Sequence, residues 1–233
     1  MLIALIADLH GNWPATQALE KDLLSQHADK IFCLGDAVGK GPSSDRTLDW
    51  AVHNCDLMLG GNWDYGVGYQ RFPNDEFYWE QLGEKRLKIL RELPQEHHLT
   101  LSGRRIRLFH GRPVMEDLIT ICNDTEDILP FFSDEKGNAF DVVGYADAHR
   151  QGLRTLSAGL FLNCGSVGNA LGNPRCCYAL LEGNPNDSSA ALEIRLRSVD
   201  YDRCEAVRQA KEMPALPRGD CYIHEIETGK YSR

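Results

Sequence analysis

The eight cysteines include no C-x-x-C pair and no spacing suited to a thiolate zinc site. Cys33, Cys164 and Cys176 sit inside strand-like apolar runs and read as small core fillers. Free thiols and a cytoplasmic setting are therefore expected. Long apolar runs are missing as well. No stretch approaches the roughly 20 residues that a membrane helix needs, so no membrane span is expected. The opening run Met-Leu-Ile-Ala-Leu-Ile-Ala meets Asp8 with no basic residues before it and no small-residue cleavage site after it. It reads as a buried strand rather than a signal peptide. Basic charge is in deficit, with 25 Lys and Arg against 34 Asp and Glu, a net charge of −9. That balance excludes general electrostatic attraction to nucleic acid or to an anionic membrane. Internal repeats and low-complexity tracts are absent too.

What the 233 residues do contain is a series of short apolar runs that stop at polar, glycine-rich positions. Residues 2–6 stop at Asp8, 31–34 at Gly35-Asp36, and 57–59 at Gly60-Gly61-Asn62. Residues 106–109 stop at His110-Gly111, 142–143 at Gly144 and 160–162 at Asn163. Continuous apolar runs of this length suit strands covered on both faces. Between the early runs lie amphipathic helical patterns. One starts after Asn12 with Pro14 in its first turn, and others span 45–53 and 84–93. Strand and helix in alternation predict an α/β protein with parallel strands at its start, in one domain over 1–233. Residues 176–181 and 191–197 read as paired strands, and 202–213 as a helix. The aromatic segment 65–83 reads as loop-like, within a lid or insert around 65–100, and the stretch 214–233 as an irregular tail.

In α/β folds, loops at the carboxyl ends of strands converge on one edge. Here those ends carry Asp8, His10, Asp36, Asn62, His110 and His149. Each has an ordinary reading alone, such as a capping turn, a tight turn or a strand-edge histidine. Together they form a set of hard-to-borderline oxygen and nitrogen donors suited to Mn²⁺, Fe or Zn²⁺, with Ni²⁺ or Mg²⁺ also admissible.

The ordered motifs Asp8-Leu9-His10, Gly35-Asp36, Gly61-Asn62-Trp63-Asp64 and His110-Gly111 resemble those of the calcineurin-like metallophosphoesterases. The segment Leu162-Asn163-Cys164-Gly165-Ser166-Val167-Gly168, with Arg175 and Tyr178-Ala179-Leu180-Leu181, resembles their small prokaryotic phosphodiesterase branch. The resemblance implies a four-layer αββα sandwich, two mixed β-sheets flanked by helices. It also implies a cytoplasmic hydrolase of small-molecule phosphate mono- or diesters, possibly of nucleotide type, working through two divalent metal ions, Mn²⁺ first among them. One metal would be held by Asp8, His10, Asp36 and His149. The other would be held by a bridging Asp36, Asn62, His110 and one further ligand, with Asp64 steadying the site. Two such ions would acidify a shared water for attack on phosphorus.

Two departures stand out. The family's Gly-His-x-His appears here as Gly144-Tyr145-Ala146-Asp147-Ala148-His149, which puts Asp147 where the further histidine ligand would be and makes it a candidate ligand of the second metal, since a carboxylate can hold the same ions. Trp63 replaces the histidine thought to protonate the leaving oxygen, and an indole offers no useful acidity. Arg112, Arg150 and Arg175 adjoin motif residues and are candidates to bind phosphate, with the backbone at Ser166 adding donors. Losing those two histidines also motivates an alternative: a weak or inactive member acting as a binding scaffold through the aromatics of 65–83.

Overall fold

The structure is a computed structural model, and it describes residues 1–232. The first half runs β1 (Leu2–Ile6), α1 (Trp13–Gln26), β2 (Lys30–Cys33), α2 (Ser44–Asn54), β3 (Leu57–Met58), α3 (Asn62–Gly68), α4 (Glu76–Glu92), β4 (Glu96–Leu101) and β5 (Arg104–Phe109). The second continues with α5 (Thr125–Ile128), a 3₁₀ turn (Leu129–Phe132), β6 (Val142–Tyr145), β7 (Gly152–Leu156), β8 (Gly159–Asn163), β9 (Cys176–Glu182), β10 (Glu193–Val199), α6 (Arg203–Lys211) and α7 (Gly219–Thr228).

The strands form two five-stranded sheets, ordered β10-β9-β1-β2-β3 and β4-β5-β6-β8-β7. Both are mixed. β1, β2 and β3 run parallel while β9 and β10 pair antiparallel. In the second sheet β5, β6 and β8 run parallel, with β4 and β7 antiparallel at the edges. Period-two alternation in β1 explains the layering. Ile3, Leu5 and Ala7 face the second sheet and pack with Ile106, Leu108, Val142 and Leu162. Ala4 and Ile6 face outward onto Leu19 and Leu23 of α1 and Trp50 of α2. The far face of the second sheet, carrying Phe109, Val143, Tyr145 and Phe161, is covered by Met115, Ile119, Ile128 and Phe132. The four layers are thus helix, sheet, sheet, and a short helix with its loops.

α1 begins where Asn12 Oδ1 accepts from the Ala15 amide at 3.2 Å, and Pro14 sits in its first turn. This ties the helix start to the end of β1 and so fixes the loop carrying Asp8 and His10.

Two sequence expectations are corrected. Segment 65–83 is mostly helical: α3 and α4 enclose only a short loop, and α4 kinks at Gly83 (φ 65°, ψ 166°). Gly83 is non-helical, so α4 is two helical pieces joined at a kink, with Tyr78 and Leu82 buried on the first and Leu87 and Leu90 on the second. Tyr78 is fully buried, while Phe72, Phe77 and Trp79 pack against the core; of the aromatics from 69 to 79, Tyr69 stands out as exposed. The C-terminal stretch is also not an irregular tail. Its prolines and glycines flank a helix rather than break one: Pro217 precedes α7, and Gly229 in the left-handed conformation (φ 67°) ends it. Tyr222 and Ile226, four residues apart, bury its inner face.

Candidate metal centre

The carboxyl ends of β1, β2, β3, β5 and β6 meet at one rim. Asp8 and His10 follow β1, Asp36 follows β2, Asn62 opens α3 just after β3, His110 follows β5, and Asp147 and His149 follow β6. Asp8, His10, Asp36, His110 and His149 are all buried.

The three histidines are oriented alike. Nδ1 of His10 lies 3.0 Å from the Val38 carbonyl, Nδ1 of His110 lies 3.0 Å from that of Leu34, and Nδ1 of His149 lies 2.7 Å from that of Asn169. A ring that donates from Nδ1 presents the Nε2 lone pair, the tautomer a metal ligand needs. Those three Nε2 atoms surround Asp8 Oδ1, at 3.6 Å for His10, 3.8 Å for His110 and 3.5 Å for His149. Asp36 Oδ2 lies 3.7 Å from His10 Nε2 and 3.2 Å from His110 Nε2, and so stands between the two rings. Donors placed about 2.1 Å from one cation stand roughly 3.0–3.5 Å apart, the scale seen here. Among the described residues, the donor atoms of Asp8, His10 and His149 converge as one group, and those of Asp8, Asp36 and His110 as another.

Satisfaction of polar atoms gives an independent test of fit. Buried polar atoms are nearly always hydrogen-bonded. Here Asp8 Oδ1 and Oδ2, Asp36 Oδ2, Asn62 Oδ1 and His110 Nε2 are buried with no hydrogen-bond partner. The other Asp36 oxygen accepts from the Trp63 amide at 2.9 Å. Apart from the His110 ring, whose Nε2 stands 3.2 Å from Asp36 Oδ2, lone pairs thus gather at one spot, and a cation is what such a set accommodates.

The charges show the same imbalance. Burial pushes the Asp8 carboxyl well above its ordinary pKa; neighbouring Asp36 adds to this and His110 partly offsets it. Burial alone would lower His110, but the carboxylates of Asp36 and Asp8 raise it well above its usual range. Burial, with the ammonium of Lys40, holds His149 well below its usual range.

Asp64 binds the loops together. Its Oδ2 accepts from the amides of Asp36 (2.6 Å) and Gly61 (3.1 Å), and its Oδ1 from Ala37 (3.0 Å). Burial and the nearby Asp36 raise its pKa to about 7. Gly61 leaves room for this approach, since a methyl group there would stand 2.1 Å from Asp36 Oδ1. Gly168 does the same on the other side, where a methyl group would lie 1.9 Å from the Leu9 carbonyl oxygen.

Asp147 behaves differently from the other acidic residues. Arg112 donates from Nε to its Oδ2 (2.8 Å), from Nη2 to its Oδ1 (2.7 Å), and from the backbone amide to Oδ2 (3.1 Å). Burial would raise its pKa, but these bonds and the charge of His110 hold it at about 2. It belongs to neither converging donor group.

A cavity of about 630 Å³ opens over this centre. Asp36, Asn62, Asp147 and His149 line its floor, Trp63, Phe72 and Tyr231 supply aromatic walls, and Lys40, Arg112, Arg150 and Arg218 bring positive charge. Of the residues expected to touch substrate, Arg112 and Arg150 are thus at the cavity. The other two are not. Arg175 pairs with Asp200 at 3.1 Å, both being well exposed. The buried Ser166 hydroxyl donates to the Asp8 carbonyl (3.1 Å) and accepts from the Asn169 amide (2.9 Å), which makes it a brace of the β1 loop. Sequence reasoning missed Lys40, whose ammonium donates to Asn169 Oδ1 at 3.0 Å and stands 3.3 Å from His149 Nε2. Its place between Gly39 and Gly41, four residues past Asp36, was the available signal. It also missed Arg218 and Tyr231, which had none, since they reach the cavity only through the packing of α7.

The sequence profile of the calcineurin-like phosphoesterase superfamily domain matches residues 1–185. An uncharacterized protein of Methanocaldococcus jannaschii is 26% identical over 176 residues, covering 71% of this chain and 70% of its own. Among solved structures, a metallophosphoesterase from Sphaerobacter thermophilus superposes with a TM-score of 0.75 at 22% identity, covering 98% of this chain and 100% of its own. A hypothetical protein from Pyrococcus horikoshii gives a TM-score of 0.77 at 20% identity, with 99% of each chain covered. At these identities the two structures speak for the fold alone.

Proposed function

Because the chain belongs to the calcineurin-like phosphoesterase superfamily, we propose that it is a metal-dependent hydrolase of small-molecule phosphate mono- or diesters. The observation that carries the reading is the set of five buried, partnerless donor atoms on Asp8, Asp36, Asn62 and His110, gathered where strand ends meet. In this reading Asp8, His10, Asp36 and His149 hold one divalent cation, and Asp36, Asn62 and His110 hold a second, with Mn²⁺ as the first choice. Bound there, divalent cations polarise phosphoryl oxygens and acidify water toward neutral pH.

The chain's own groups do the rest. Asp64 fixes the relative positions of the Asp36 and Asn62 loops through three amide hydrogen bonds. Arg112 and Arg150 at the cavity wall supply charge for the phosphoryl oxygens. Trp63 closes one side with an edge-on ring 5.9 Å from that of His10, and donates no proton to a leaving group. The organic part of the ester occupies the remaining cavity, between Phe72, Tyr231 and Arg218. The eight cysteines are free thiols, and among the described residues no helix is long and apolar enough to cross a membrane. We place the activity in the cytoplasm.

The test pairs metal analysis of purified protein with a screen of aryl phosphomonoesters and phosphodiesters in added Mn²⁺. Turnover that is lost on chelation and in Asp36→Asn supports the reading. A chain that retains no divalent cation and is indifferent to Asp36→Asn is a scaffold.

A further inference from the structure

The two cation positions of the proposed function are not equivalent, and the difference lies in Arg112. On one side four residues offer donors: Asp8, His10, Asp36 and His149. On the other, Asp36, Asn62 and His110 offer donors, with Asp8 shared between the two groups. Asp147 stands at the sequence position of the further ligand, but it joins neither donor group and both its oxygens are engaged. Three hydrogen bonds of 2.7 to 3.1 Å from Arg112 fill three of its roughly four acceptor sites and fix the carboxylate's orientation. The arrangement is rigid, because a methyl group on Gly111 would stand 2.5 Å from Asp147 Cβ. The close backbone contact at Gly111 lets the Arg112 amide reach the carboxylate as well as its side chain. Arg112 is itself 41% exposed and lines the cavity. A guanidinium carries five N–H donors, and the fork on Asp147 uses only the Nε–H and one on Nη2. The rest are free to meet a phosphoryl oxygen while the group stays anchored, the condition under which an arginine loses least on binding.

We propose that Arg112, by occupying Asp147, withholds a ligand from the second cation position, so that the chain binds one divalent cation tightly and the second weakly, with the anchored guanidinium supplying positive charge on that side. The inference rests on the phosphoesterase reading of the site and assigns unequal roles within it. Asp147 is on this view a positioning residue for Arg112 and not a metal ligand.

The experiment is a Mn²⁺ titration of metal-stripped full-length protein by calorimetry and chelator competition, read as ions bound per chain. Wild type is expected to bind one Mn²⁺ tightly and a second about tenfold or more weakly, the scale on which changes around a ligand set alter metal affinity. Arg112→Met frees the carboxylate and should tighten the second step about tenfold while leaving the first unchanged. Asp147→Asn should leave the first step unchanged and tighten nothing. Should Arg112→Met fail to fold, Asp147→His replaces the carboxylate with an imidazole that a guanidinium does not grip, and should likewise tighten the second step. Two equally tight Mn²⁺ in the wild type overturn the proposal, as does loss of a tightly bound ion in Asp147→Asn, or an unaltered second step in every variant that frees the position. Two equal ions together with Mn²⁺-dependent turnover would remove this inference alone. No Mn²⁺ binding at all would remove the phosphoesterase reading with it.

Discussion

Replacing Asp8 with asparagine should change the sign of its effect on stability according to whether cation is present. Asp8 is fully buried and neither carboxylate oxygen has a hydrogen-bond partner. Asp36, which is 1% exposed, adds a second carboxylate to the same spot. In chelated protein this is buried acidity that His110 only partly offsets. Asn is nearly isosteric and removes it, which should stabilise the metal-free chain by about 1–3 kcal/mol. For a chain of this size each kcal/mol moves Tm by roughly 2–4 °C, so the variant should melt roughly 2–12 °C higher in EDTA. With Mn²⁺ at about a thousand times its Kd, wild type gains about 4 kcal/mol, or roughly 8–16 °C. Asp8→Asn forfeits most of that gain and should melt below wild type. Thermal melts of the two proteins, each with EDTA and with Mn²⁺, make the comparison. If Asp8→Asn lowers Tm equally under both conditions, the carboxylate is already satisfied by protein groups and the cation cage is wrong.

Four further outcomes are expected. Gly61→Ala should cost about 10² in kcat or more, measured on an aryl phosphodiester, because its methyl group displaces Asp36, and misplacement by about 1 Å has that effect; unchanged turnover would mean that Asp36 is not where the chemistry happens. Cleavage of activated aryl phosphodiesters should exceed that of alkyl esters by about 10²–10⁴, the usual contribution of a general acid, and Trp63→His should narrow the gap. Equal rates for the two ester classes would sink that argument. Arg218→Ala should raise KM for bulky esters with little change in kcat, since Arg218 lines the cavity but belongs to neither donor group; an unaltered KM would place substrate elsewhere. Asn12→Ala removes the cap on α1 and leaves the Gly168 carbonyl without its 2.8 Å donor, which should cost about 1–3 kcal/mol in denaturant unfolding and carry the β1 loop with it.

The architecture was legible because burial dictates it directly. Apolar runs ending at Asp8, Asp36, Asn62 and His110 are strands covered on both faces, and parallel strands deliver their carboxyl ends to one rim. Local punctuation misled where tertiary packing dominates. The aromatic segment before Gly83 reads as a loop, yet Phe77, Tyr78 and Trp79 pack a helical stretch onto the core. Pro217 and Gly229 bracket α7 rather than unravel it. The site divides along the same line. Residues fixed by the chain near a strand end were visible in the sequence. Arg218 and Tyr231 were not, since they arrive from a helix far along the chain. Asp147 was visible as an acidic residue in a histidine's place, but its occupation by Arg112, 35 residues away, is a property of three dimensions.

Backbone conformation bears on whether this rim is built for a cation. Asp8 (φ 54°), His10 (φ 45°), Asp36 (φ 55°), Asp147 (φ 61°) and His149 (φ 55°) all adopt the left-handed conformation. For a residue other than glycine this costs on the order of 1–3 kcal/mol, and it persists only where the surroundings enforce it. Asp and His are among the side chains that tolerate it best, which fits their use here but does not remove the cost. The same loops bury carboxylates without partners. A surface for docking proteins needs neither, since it would lie among exposed side chains, and the aromatic segment once eligible for that role is largely packed inward. Strain and unpartnered carboxylate oxygens coincide at Asp8 and Asp36, and a cation would draw both side chains into a fixed shell. The wild-type site is therefore expected to be among the least stable parts of the empty chain. In hydrogen exchange, amides of the β1 and β6 loops should gain protection on adding Mn²⁺ while those of β9 and β10 stay as they were. Uniform protection across all of these elements would mean that the strain serves something other than metal binding.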